Sequence, residues 1–390
     1  MLARLIHGFT LNLVLSFGDL SQQTGYRTRV LGELRHLDMQ MDPETFLLVF
    51  DRYPKKFQKN APSGVPFRVH ARSGVLRFYS QLARLARKGP IRVVHAHNLY
   101  STALALSARP FYGYKVLLDY HGRIPEEYVY LGKGGEPSRK ALEGLERWAV
   151  KHSDHIVAVS ERLRRYLKDR YKAPDSKFSV VPCCADADTF RWDPSGRDAV
   201  RSNMKLDGKL VCTHVGSFFE WYDHELLLNL FAGIQRDVAD AHLLVLTSAT
   251  EKTREYLSHR LAAKSFTVMN APHDEIPSLL NASDVGFLLL RSSPNIETCS
   301  PTKFSEYLSC GLPVVITPQV GDFSALVAER GVGVVVTNTG SVDSQFLSKV
   351  QTMRTEYARN CIHAGRDLTW QAHLATWRDI YKWRLSAPSG

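Results

Sequence analysis

Residues 300–315 read Ser300-Pro301-Thr302-Lys303-Phe304-Ser305-Glu306-Tyr307-Leu308-Ser309-Cys310-Gly311-Leu312-Pro313-Val314-Val315. Physically this is a turn, a helix start, a short helix ended by a glycine, and a buried strand. Pro301 suits the first helical turn, and hydroxyls at Ser300 and Thr302 are placed to cap the exposed amides. A helix N-terminus with those hydroxyls and Lys303 beside it makes a cradle for phosphate. Glu306 follows one turn later near the same face, where it can accept hydrogen bonds from the two hydroxyls of a ribose. The plainer alternative is a capped helix with an intrahelical Lys303–Glu306 pair, and spacing alone leaves both open.

Outward from this stretch, short apolar runs alternate with helical patterns along the whole chain, the signature of βαβ units and a mostly parallel sheet. In the first half the pattern predicts strands near 11–16, 45–50, 92–96, 115–119, 155–159 and 178–181, with helices over 27–37, 75–88, 138–151 and 161–172. In the second half it predicts strands near 211–215, 242–247, 266–269, 285–290, 313–317 and 333–336. Helices there are expected over 225–235, 253–263, 276–281, 303–310 and 343–359. The segment 190–201, containing Pro194, Ser195 and Gly196, reads as the linker between two α/β halves. Near the end, Trp370, Leu374, Trp377, Ile380 and Tyr381 fall on one face of a helix at 369–384. A helix that aromatic must dock on something, and crossing back onto the first domain is one option.

The 390 residues are 44% hydrophobic and 23% charged, ordinary globular proportions that exclude a disordered, collagen-like or coiled-coil chain. That length predicts two domains. No run approaches the roughly 18–20 uncharged apolar residues of a membrane-spanning helix, and no small-residue cleavage site follows the run Leu11 to Phe17, so no signal peptide is expected. Six cysteines with no Cys-x-x-Cys pair make neither a disulfide framework nor a zinc site, which fits a reducing cytosol. Net charge is uneven. Residues 1–195 sum to +12 and residues 196–390 to −1, and residues 51–100 hold 11 basic side chains against the single acid Asp51. The first half therefore faces something anionic or solubilises itself with lysine and arginine.

The 300–315 stretch resembles the donor-binding motif of family-4 glycosyltransferases of the GT-B fold, in the variant reading Ser-Pro-Thr-Lys before the second glutamate. The resemblance extends to Val93-Val94-His95-Ala96-His97, Asp119-Tyr120-His121-Gly122, and the run from Ser153-Asp154-His155 to Ser160. It continues through Val181-Pro182-Cys183-Cys184-Ala185-Asp186 with Phe190, Ala282-Ser283-Asp284-Val285, and Trp370 to Tyr381, in order over roughly residues 90–385. It implies two Rossmann-like α/β domains facing across a cleft. An acceptor domain over 1–193 would carry a returning helix at 369–390, and a nucleotide-sugar domain would span 197–368. It also implies transfer of a sugar from a UDP- or GDP-sugar to a glycan or lipid-linked acceptor with retention, without a metal and with no cofactor beyond the nucleotide-sugar co-substrate. In the site so implied, Lys303 meets the diphosphate, Glu306 the ribose, backbone near Ala271–His273 the base, and His121 the sugar or acceptor.

Several departures from the family pattern matter. Its two glutamates stand eight residues apart, but eight before Glu306 is Thr298, and Glu297 lies one residue early. Many relatives place an Arg just after the glycine corresponding to Gly216 and a Lys-Gly pair a few residues later, where this chain has Ser217 and Tyr222-Asp223. Arg291 is a candidate substitute. A second hypothesis follows: a non-catalytic GT-B scaffold or regulatory subunit in glycan assembly. Gly25, before a predicted helix, either lets the backbone approach donor phosphates or simply starts the helix. His121 follows an apolar strand, where α/β ligands bind, or else merely caps that strand. His95 and His97 lie on a strand, and at least one is expected to point into its packing. Asp186-Ala187-Asp188 mimics a metal-binding Asp-x-Asp but falls at the linker, and no other His, Cys or Asp cluster has metal spacing. The basic stretch around 72–92 is read as a solvated helix packed on a sheet or as one lying on an anionic membrane surface, giving a cytoplasmic protein peripheral on the inner face. No nucleic-acid module is present.

Overall fold

A computed structural model describes residues 11–18, 20–21, 24–38, 44–59, 61, 66–336 and 344–384. The chain divides into two units, one formed by Met1–Cys183 with His373–Gly390 and the other by Cys184–Ala372.

Among the described residues the first unit has seven strands: β1 (Leu11–Phe17), β2 (Glu44–Asp51), β3 (Phe67–Ala71), β4 (Ile91–His97), β5 (Lys115–Tyr120), β6 (His155–Ala158) and β7 (Phe178–Val180). They pair in parallel in the order β3-β2-β1-β4-β5-β6-β7. The described residues of the second unit form six: β8 (Val211–Val215), β9 (His242–Leu246), β10 (Phe266–Met269), β11 (Val285–Leu288), β12 (Val314–Ile316) and β13 (Gly333–Val335), parallel in the order β10-β9-β8-β11-β12-β13. Helices cover a parallel sheet on both faces, so its central strands read as unbroken buried runs, as in Val211–Val215 and His242–Leu246. Strand order reverses beside β1 and β4 in one unit and beside β8 and β11 in the other. The crevice at the carboxyl ends of such strands is where open α/β sheets bind ligands. Both units are Rossmann-like α/β domains.

Three sequence expectations change. The 190–201 linker is not a linker: Pro194–Asn203 is a helix, capped by Asp193 accepting from the Gly196 N–H at 2.9 Å. Its Arg197 pairs with Asp284, and its Arg201 lies 3.2 Å from the same carboxylate, so it belongs to the second unit. The division therefore falls at Cys183/Cys184, ahead of the expected 193–197. The terminal helix at 369–384 is also not continuous. Ala185 and Thr369 form a bridge, with Trp370 N–H donating to Ala185 O at 3.0 Å, so Trp370 is buried in the second unit. The chain passes to the first unit at His373, where Leu374–Asp379 and the turn Ile380–Arg384 bury Trp377, Ile380 and Tyr381. Residues 385–390 lie outside the described residues, as does Asp343 at the expected start of the helix now seen as Ser344–Arg366. Finally, β3 and the helices Asn98–Tyr112, Ile124–Tyr130 and Phe323–Arg330 were not expected.

The basic helix Arg77–Ala86 buries Phe78, Leu82 and Leu85 in the first unit's core, beside Leu11 and Leu13 of β1. Its apolar face is thus unavailable to a bilayer, while Arg77, Arg84, Arg87 and Lys88 stay exposed. No described helix is long and apolar enough to cross a membrane.

Candidate active site

In the second unit, the helix Thr302–Ser309 starts on Pro301, which sits at the N-cap rather than in the first turn and supplies no side-chain cap. Ser300 and Thr302 are buried beside it. The helix is fixed to the sheet by Tyr307, whose hydroxyl accepts the Val215 N–H at 3.1 Å at the end of β8. Lys303 Nζ donates to Glu306 Oε2 at 2.7 Å, the pair that spacing suggested. Glu306 is fully buried, yet its Oε1 has no hydrogen-bond partner among the described residues, and His273 Nε2 stands 3.7 Å away. Burial alone would raise this carboxyl, but Lys303 and His273 outweigh it and hold the pKa below the ordinary value, so Glu306 is ionised. An ionised, buried oxygen with an unused lone pair can accept from a ligand hydroxyl. His273, edge-on to Phe190 at 5.3 Å, and buried Ala271 lie on the segment after β10.

Gly216 follows β8 with φ +123, a conformation that suits glycine, and its N–H donates to Leu246 O at 2.9 Å. Ser217 next to it is exposed, and its carbonyl lies 3.1 Å from His214 Nε2. Burial first, and the Lys303 charge as well, push His214 down to about 4, so the neutral ring donates this bond. Where relatives carry a cation, Tyr222 packs edge-on against His214 at 4.5 Å and pairs with Leu290. Arg291 is tied to this loop, its N–H donating to Trp221 O at 2.9 Å and its guanidinium lying 3.2 Å from His224 Nδ1. The loop holds that guanidinium.

Glu297 lies half-buried in the turn Ile296–Thr298, where its carboxylate has no ion pair or hydrogen bond among the described residues. Thr298, at the eight-residue position, spends its hydroxyl on Asn295 O at 3.2 Å. This loop is pinned by a residue the sequence reading missed. Gly321, at φ +47, donates its N–H to Ile296 O at 2.9 Å, and a Cβ there would lie 1.9 Å from Cys299 O. Only glycine lets the two backbones meet.

In the first unit, His121 Nε2 lies 2.7 Å from Asp119 Oδ2, and its N–H donates to Asn98 Oδ1 at 3.2 Å. Burial is the main cause that lowers His121 to about 4. A neutral imidazole donating through Nε2 keeps Nδ1 as an acceptor. Burial opposes the charge on Asp119, but Arg29 and His121 prevail and hold its pKa far below the usual carboxylate value. Arg29 binds Asp119 through two bonds of 2.7 Å and donates to the Val181 and Pro182 carbonyls at 3.1 and 2.9 Å. Gly25 is the exposed first residue of the helix Gly25–Asp38, and Thr24 caps that helix through its hydroxyl to the Arg27 N–H at 3.2 Å. Asp186 is spent on its own turn, accepting from Asp188 N–H and the Thr189 hydroxyl.

No cluster with metal-ligand spacing is legible along the sequence. The fold assembles one: Glu33, His95, His97 and Asp119, all buried, with candidate ligand atoms within 4.8 Å of one another. Both His95 and His97 turn to the same side of β4, stacked with centroids 4.7 Å apart. The His-x-His spacing on a strand was the available signal, because alternate residues share a face.

Two family descriptions match the chain: Glycosyltransferase Family 4 over residues 30–189 and Glycosyl transferases group 1 over residues 197–366. The D-inositol 3-phosphate glycosyltransferase of Rhodococcus erythropolis is 25% identical over 299 residues, 73% of this chain and 66% of the relative, so the chain spans about two thirds of that relative's length. Among solved structures, HepE of Anabaena in complex with UDP has a TM-score of 0.71 at 13% identity, covering 93% of this chain and 97% of the other. Sucrose-phosphate synthase of Thermosynechococcus elongatus has a TM-score of 0.74 at 14% identity, covering 97% and 100%. The chain thus carries a glycosyltransferase family 4-like domain followed by a group 1 glycosyltransferase domain, on a GT-B-like fold.

Proposed function

We propose that this chain transfers a sugar from a nucleotide-diphosphate sugar, UDP- or GDP-linked, to a glycan or lipid-linked acceptor, with retention and without a metal at the diphosphate. The observation that carries the reading is the Lys303–Glu306 pair at the start of the helix Thr302–Ser309: an ammonium and an ionised, buried carboxylate with one unused oxygen. Departure of a nucleoside diphosphate is assisted by positive charge placed where negative charge develops. Lys303 and the first amides of that helix supply it. Glu306 Oε1 accepts a ribose hydroxyl, backbone at Ala271–His273 meets the base, and the Gly216 and Ser217 amides approach the phosphates. Glu297, with the backbone from Cys299 to Thr302, meets the sugar. His121 holds a sugar or acceptor hydroxyl through its free ring nitrogen.

HepE was solved with UDP and with UDP-glucose, which favours a uridine donor. The curated relative's name specifies a phosphate-bearing acceptor, and the +12 charge of the first half suits an anionic acceptor or an anionic membrane surface on the cytoplasmic side. A second reading, the non-catalytic scaffold, is favoured by one observation: Tyr222, at the sequence position where the family resemblance implies a lysine, packs its hydroxyl 3.5 Å from where a Cβ on Gly216 would lie.

The test is thermal unfolding against UDP, GDP, CMP, ADP and their common sugar conjugates. Ligand at about a hundred times its dissociation constant adds roughly 2.7 kcal/mol, a shift of several degrees. A selective rise with UDP or GDP, lost in Glu306→Ala, supports the donor site. No rise with any nucleotide in a folded sample supports the scaffold.

A further inference from the structure

Glu33, on the helix Gly25–Asp38, meets His95 and His97 of β4 deep in the first unit, each about 1% exposed. Glu33 Oε2 stands 3.6 Å from His95 Nε2 and 3.6 Å from His97 Nε2. That is too long for a hydrogen bond. All three atoms lack a hydrogen-bond partner among the described residues. Three buried lone-pair donors aimed at one another without partners are costly, and a native fold rarely leaves them so.

We propose that His95 Nε2, His97 Nε2 and Glu33 Oε2 hold one divalent cation of the zinc class, with water in the fourth position. Zinc binds nitrogen and oxygen at about 2.0–2.1 Å, which sets neighbouring donors of a tetrahedron about 3.3–3.4 Å apart. The two 3.6 Å separations need to contract by only a few tenths of an ångström. The opposite ring nitrogens are already tied in the way metal-binding histidines require. His97 Nδ1 lies 3.1 Å from Asp119 Oδ2, a carboxylate–histidine pair, and His95 Nδ1 lies 2.9 Å from the Tyr381 hydroxyl. Both contacts turn the Nε2 lone pairs toward Glu33. Arg29 Nε lies 3.0 Å from Glu33 Oε1 as an ion-pair contact, but its N–H is given to Asp119 Oδ2, so among the described residues neither oxygen of Glu33 is hydrogen-bonded and Oε2 is left for the ion. The Arg29 charge is itself met by Asp119.

The ion would not touch a donor sugar. It would brace His97, and through the shared Asp119 carboxylate the side chain of His121, so it is a positioning site in the first unit and independent of the donor site in the second. Tyr381 makes the last segment of the chain part of its surroundings.

The experiment measures metal on the full chain. Protein incubated with Zn2+ and desalted is assayed for zinc, loaded in parallel with Co2+ for visible spectroscopy, and unfolded thermally in Zn2+ and in EDTA. We expect about one zinc per chain, the visible bands of four-coordinate Co2+, and an unfolding midpoint several degrees higher with Zn2+ than with EDTA. Glu33→Gln and His95→Ala should each lose the zinc, the bands and the shift, while His273→Ala in the second unit retains all three. Less than a tenth of an equivalent of zinc with no Co2+ bands from folded wild-type protein overturns the proposal. So does equal zinc retention in folded Glu33→Gln and His95→Ala, which would place the metal elsewhere. Should either variant not fold, the wild-type zinc content and Co2+ spectrum decide alone.

Discussion

The two units treat buried charge in opposite ways. In the second, Lys303 and Glu306 come from one turn of one helix, Lys303 reaches solvent, and one carboxylate oxygen is left for a ligand. In the first, Arg29, Glu33, His95, His97, Asp119 and His121 come from a helix, two strands and the residue after β5, and nearly all are sealed from water. A local pair with its ammonium end in solvent can wait half-satisfied for a substrate. A sealed cluster cannot, so each of its charges needs a fixed partner.

The sharpest way to break this contrast is to remove one partner on each side. Asp119→Asn leaves the Arg29 guanidinium buried without its carboxylate and should cost about 3–5 kcal/mol, read as a fall in the urea midpoint. Glu306→Gln frees an ammonium that already reaches solvent, and the same titration should move by about 1 kcal/mol or less. Equal losses would erase the distinction. For turnover the ranking reverses: Lys303→Ala should lower sugar transfer by about 10²–10³-fold with the urea midpoint unchanged, measured by nucleotide release. Unchanged turnover would remove Lys303 from the site.

The pH dependence of stability separates the units next. Burial lowers His214 to about 4, so its contribution is complete above the unfolded value near 6.5 and is lost as pH falls toward 4. Burial raises Glu146 in the first unit to about 7, so its contribution is complete below the unfolded value near 4.5 and is lost as pH rises through 7. Each is worth about 3 kcal/mol at most. Thermal unfolding from pH 4 to 8 should show Glu146→Gln removing a loss of stability between about pH 4.5 and 7, and His214→Asn removing a gain between about pH 4 and 6.5, changes of opposite sign. A change of the same sign in both variants would refute the assignment. The smallest effect sharpens the local site: Tyr307→Phe leaves the Val215 N–H without its acceptor and should cost about 1–3 kcal/mol in the same assay. A neutral result would mean that the hydroxyl does not anchor the helix.

The legible parts of the sequence were those where chemistry and spacing lie within one element. The apolar runs of β8, β9 and β12 announced buried parallel strands, and Lys303 and Glu306 announced their pairing through the helical repeat. What escaped was carried by contact. β3 is a short, half-exposed edge strand with little apolar pattern, and Asn98–Tyr112 opens on Asn98 at φ +62 and contains Pro110, signals that read as a loop. Trp370 was assigned to a returning helix on the strength of its aromatic neighbours, but its backbone pairs with Ala185 within the second unit, to which both belong.

By itself the sequence determined the class of fold, two parallel α/β units in order, because hydrophobic periodicity is set residue by residue and survives without knowledge of neighbours. It also determined the Lys303–Glu306 pair, because a helix places residues three apart on neighbouring positions. Only the tertiary structure decided that Arg29 and Glu33 would meet His95, His97, Asp119 and His121, that Gly321 would carry the Cys299 loop, and that the chain would change units at Cys183/Cys184. These contacts join residues up to 90 or more positions apart, such as Arg29 and Asp119. Sheet order alone brings them together, and no local pattern encodes that order.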